Sequence, residues 1–102
     1  MSSQEIIYLG SQLITKDFGL DSEELANISE RSSLERKVEK VVQYLLDHDF
    51  QRLVNAMYRI DLSESDFKEI LATAPPEEIA ISLARAIIER ELVKAELRRK
   101  YS

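Results

Sequence analysis

The 102-residue sequence has no cysteine and no tryptophan, and only two glycines, two prolines and one histidine. Without cysteine there is no disulfide framework, no thiolate nucleophile and no sulfur ligand for zinc or an iron–sulfur cluster. A reducing compartment suits such a chain. The segment Met-Ser-Ser-Gln-Glu lacks the basic start of a secretory leader, so the expected location is the cytoplasm. Gly10, Gly19, Pro75 and Pro76 are the only strong turn formers, too few for an all-β sandwich of this length, which leaves long helices as the alternative. No apolar run approaches the roughly eighteen residues that a membrane span requires, and a membrane partner is not expected.

What is present is globular in character. Hydrophobic residues make up 44% and charged residues 32%, enough apolar surface for one core, so residues 1–102 are expected to form a single helical domain. A formal net charge of -5 opposes nucleic acid at long range.

Hydrophobic spacing predicts a compact all-α bundle of four or five helices. Ile6, Leu9, Leu13 and Ile14 recur at helical intervals over residues 3–17, with Gly19 as the stop. Asp21 and Glu24, with Leu20 and Leu25 as a hydrophobic staple, suggest that a short second helix follows. Ser32 and Glu35 are spaced as a capping box ahead of Leu34, Val38, Val41, Val42 and Leu45. Leu46, Phe50, Leu53, Met57 and Ile60 continue the helical repeat but lie about 100° around the axis, so the segment 34–60 should kink or break at residues 47–49. Ser63 should cap a further helix, with Leu62 stapled to Phe67 and Phe67, Ile70, Leu71 and Ala74 facing the core. Pro75 and Pro76 then begin the last long helix, about 76–100.

The residues able to do chemistry are few. His48 is the one side chain with an ordinary pKa near neutrality, and a small hydrolase or metal-dependent enzyme would have to use it with Asp47 or Asp49 and with Ser63 or Tyr58. Neighbouring residues on a helix do not face one another, so a solvated helix break is the simpler reading. The aspartate-rich stretches from Asp47 and from Asp61 lack the glycine and the closing acid of a calcium loop, and no metal or cofactor is expected. Helix 64–71 carries Glu64, Asp66 and Glu69 against Lys68, the wrong sign for DNA recognition. Arg98, Arg99 and Lys100 could support a nucleic-acid-associated regulator, but cations also belong at a helix C-terminus.

Between Ile79 and Ile88 only Ser82 and Arg85 are polar, so the last helix is apolar around nearly its whole circumference. Such a helix reads first as a central one buried within its own bundle; the alternative is that its stripe of Ile81, Ile88 and Leu92 meets a second copy or another protein. The functional expectation is a non-catalytic protein-interaction or assembly module, possible as a homodimer.

Overall fold

The computed structural model describes residues 3–101. Five α-helices make up the architecture: α1 (Ser3–Phe18), α2 (Arg31–His48), α3 (Phe50–Ile60), α4 (Glu64–Thr73) and α5 (Ile79–Tyr101). A 3-10 turn at Pro76–Glu78 leads into α5, and no strand occurs among the described residues. The fold is the all-α bundle expected from the spacing.

The apolar circumference of α5 has a direct packing explanation. Ala80, Leu83, Ala84, Ile87 and Ile88 are buried, and α1, α2, α3 and α4 all pack against this helix. The stripe of α2, Leu34, Val38, Val42 and Leu45, lies against it, and α1 adds Ile7, Ile14 and Phe18 to the same core. Gly10 permits one of these contacts, because a Cβ there would stand 2.7 Å from Leu92 Cδ2. At the start of α2, Arg31 bonds Glu35 (3.3 Å) and Glu89 (2.9 Å), and Arg85 reaches Glu35 (3.3 Å). These exposed pairs orient more than they stabilise.

Helix ends explain how the chain turns. Gly19 adopts φ 64°, its amide donates to Lys16 O, and Leu20 N donates to Thr15 O at 2.9 Å. This is a Schellman closure, for which glycine carries no steric cost. The same pair of bonds closes α3, with Asp61 at φ 63° in the position where a glycine is usual.

Two expected features differ. Residues 20–30 form successive turns in place of a second helix, with Leu25 and Ile28 as buried anchors. Asp21 accepts from Glu24 N through its backbone carbonyl, and Asn27 at φ 63° stops propagation. A segment this short cannot offset the cost of nucleating a helix. The capping box expected at Ser32 is also absent: α2 starts two residues earlier, at Arg31, Glu30 occupies the cap without a side-chain bond, and Glu35 is turned to Arg31 and Arg85.

The break at 47–49 is complete, so segment 34–60 is two helices. Asp49 leaves helical geometry at φ -155°, ψ 69°, and its carboxylate accepts from Arg52 N at 3.2 Å to begin α3. Ser63 caps α4 by accepting from Asp66 N at 3.4 Å, and Phe67 is 8% exposed. Replacing Phe67 by alanine should cost about 3–5 kcal/mol through a core cavity, and Ser63→Ala about 0.5–2 kcal/mol. Urea unfolding measures both, and a Phe67→Ala loss below about 1 kcal/mol would contradict the packing assigned to α4.

Candidate functional site

The structure disperses the residues around His48 into helix-end roles. His48 is exposed at the end of α2 with its ring 4.7 Å from that of Tyr44, Asp47 accepts from Gln43 at 3.1 Å, and Asp49 caps α3. Ser63 is spent on the cap of α4, and Tyr58 is 71% exposed on α3. Among the described residues no group of three or more histidines, aspartates and glutamates is arranged to hold a metal ion.

The stripe considered for a partner packs at least in part on the chain's own core. Ile88 has no accessible surface, Leu92 is half-buried over Gly10, and Ile81 packs on the core. The reason is that α1 and α2 both pack extensively along α5 within the one chain. What α5 leaves outward is Val93, Leu97 and Tyr101, at 43%, 49% and 76% exposure.

A buried ionic cluster joins α1 to α5. Lys94 Nζ lies 3.1 Å from Asp17 Oδ2, 3.0 Å from Glu91 Oε1 and 3.4 Å from the Arg59 carbonyl oxygen. Glu91 has no accessible surface, and neither of its oxygens has a directional hydrogen bond. Burial, then the facing Asp17 carboxylate, pushes the Glu91 carboxyl up to about 7, against the opposing pull of Lys94. The same corner closes the C-terminus of α1. Arg52 Nη2 donates to Phe18 O (2.8 Å) and Gly19 O (3.2 Å), and Arg59 Nη1 donates to Asp17 O (3.2 Å). Three cations thus meet the negative end of the helix. The cluster was missed in the sequence, although Glu91 stands three residues after Ile88 and four before Ala95, an acid on the buried stripe.

Two of the surface grooves lie between pairs of helices around apolar side chains. The first lies between α3 and α4, lined by Phe50, Val54, Met57, Tyr58, Phe67 and Leu71, with a volume of about 260 Å³. It exists because α4 comes close to α5 at the backbone but makes no close backbone contact with α3. The Phe50 and Phe67 rings span the gap, centroids 6.2 Å apart and nearly parallel at 20°. The second groove, about 460 Å³, runs between α1 and α5 over Leu9, Leu13 and Ala95, with Lys16, Arg98 and Arg99 along its edges. Among the described residues, no helix is long and apolar enough to cross a membrane.

Compared with known proteins, the chain matches no family model, no curated protein and no solved structure.

The buried carboxyl makes stability depend on pH. In the unfolded chain Glu91 returns to its ordinary value of 4.5, so between that value and about 7 the folded form keeps a proton that the unfolded form has released. This contribution is complete below the unfolded value and is lost as pH rises through about 7, a change of the order of 3 kcal/mol. Glu91→Gln should therefore show a flatter pH profile than the parent and gain on it toward about pH 8 in chemical unfolding. Parallel profiles for the two proteins would show that Glu91 is ionised in the folded state throughout.

Proposed function

We propose that this chain is a non-catalytic protein-interaction module that receives an amphipathic helix of a partner protein in the groove between α3 and α4. The observation that carries the reading is an aromatic-lined groove between two helices that meet through side chains and not through close backbone contact. A groove of about 260 Å³ is smaller than the roughly 300–1,000 Å³ of typical small-molecule sites, and suits the anchor side chains of a docked helix. Phe50 and Tyr58, 45% and 71% exposed, belong to the aromatic class that supplies binding energy at such contacts.

Charge indicates the chemistry of the occupant. The charged residues lining the groove, Glu64 and Lys68, pair with each other at 3.0 Å, and the exposed Asp66 and Glu69, elsewhere on α4, leave the helix around it net negative. A helix with lysine or arginine flanking its apolar strip complements this surface, whereas an acidic one is repelled. A cytoplasmic setting belongs to the same proposal, supported by the cysteine-free composition.

The test uses displayed four-turn helical peptides with leucine on one face and lysine on the other, against a matched set carrying glutamate. Lysine-bearing binders should shift the amide resonances of Val54, Met57 and Leu71, and Tyr58→Ala or Phe50→Ala should weaken them by about tenfold or more. Recovery of no binder, or binders indifferent to both substitutions, would overturn the reading. So would a doubled mass in sedimentation equilibrium that Tyr58→Ala abolishes, since the occupant would then be a second copy.

A further inference from the structure

The groove between α1 and α5 shares no lining residue with the one between α3 and α4, and its charged lining residues are all cations, where the other has the paired Glu64 and Lys68. Its floor is apolar: Leu13 and Ala95 are buried and Leu9 is half-buried. Its edges carry Lys16 from α1 and Arg98 and Arg99 from α5. Arg99 is engaged with Glu96 at 2.8 Å, whereas no ion pair to Lys16 or Arg98 is present among the described residues.

Both helices end with cations in the last turn, which the helix dipole would favour on any side. The dipole does not account for where they gather. On α5 the buried stripe passes through Glu91 and Ala95, and its next positions are Arg98 and Arg99, so the cations continue the face that packs on α1. In a chain of net charge -5, three cations converge around an apolar recess.

We propose that this groove binds a short acidic, amphipathic segment of a partner protein, with apolar side chains on Leu9, Leu13 and Ala95 and carboxylates on Lys16, Arg98 and Arg99. A protein segment fits better than a nucleic acid or an anionic bilayer. The recess rewards a side chain that enters it, and the overall negative charge repels an extended polyanion while a few local carboxylates meet only the cations. The contact uses the C-terminal helix, but at its end and on its α1 side, away from Ile81.

The experiment titrates isotope-labelled full-length protein with a synthetic leucine–glutamate helical peptide, its leucine–lysine counterpart, a short DNA duplex and phosphatidylserine vesicles. The glutamate peptide should shift the amides of Leu9, Leu13, Lys16, Ala95 and Arg98 and should weaken with added salt. Arg98→Glu and Lys16→Glu should each reduce its affinity by about tenfold, the loss of one charge-assisted contact. Both positions are exposed, and unchanged circular dichroism keeps a folding defect separate from a binding defect. Tyr58→Ala should leave this binding intact, so a failure of the α3–α4 reading and a failure of this one are distinguishable. Equal binding of both peptides, indifference to the charge reversals, or shifts of these amides by DNA or vesicles without the peptide would each overturn the proposal.

Discussion

Burial of α5 is the constraint on which the other helices depend. Its side chains from Ala80 to Ile88 meet α2 and α1, and those around Glu91 and Ala95 meet the rest of α1. A helix whose apolar residues spread this far around its axis needs several neighbours, and here one chain of 102 residues supplies them, leaving outward the side of Arg85, Glu89 and Val93. The cost falls on α4. With α5 occupied by α1 and α2 over much of its surface, α4 meets only a part of it and makes no close backbone contact with α3. The groove proposed as a docking site is therefore a consequence of how the core is shared out.

At the far end of α1 the structure accepts an electrostatic cost. Glu91 is buried beside a second carboxylate, with one ammonium between them. A hydrophobic residue of similar volume would avoid this desolvation. What the arrangement provides is direction: Asp17 and Lys94 fix α1 against α5, while Arg52 and Arg59 fix its carbonyl end against α3. Hydrophobic contact alone leaves the angle between helices loosely specified, and charge-assisted bonds at one corner narrow it.

Much of the fold was legible from particular residues. The shift of the apolar stripe between Leu45 and Leu46, with Asp49 able to cap, located the break between α2 and α3, and Ser63 and Phe67 located α4. Local signals failed where they were isolated from tertiary support. Asp21 and Glu24 have helix-start spacing, but with only Leu25 and Ile28 to bury, the segment remained turns. For Ile88 and Leu92 the sequence left two covers open, the chain's own bundle and another chain. An apolar face reads the same in sequence whether its own chain or another covers it, and Gly10, which admits Leu92, is eighty-two residues away. The grooves likewise depend on the relative placement of helices distant in sequence, which no local spacing encodes.

If α5 is the common support and α4 its least supported neighbour, the two should differ in how they open. Binding surfaces are drawn from the less stable parts of a fold, and α4 belongs there. Native-state hydrogen exchange across a low-denaturant series measures this residue by residue. The amides of Leu83, Ala84, Ile87 and Ile88 should exchange only through global unfolding, while those of Ile70 and Leu71 open at a lower free energy. Exchange from α5 through a partial opening that leaves α1 and α2 protected would contradict the account, because no helix could then depend on it.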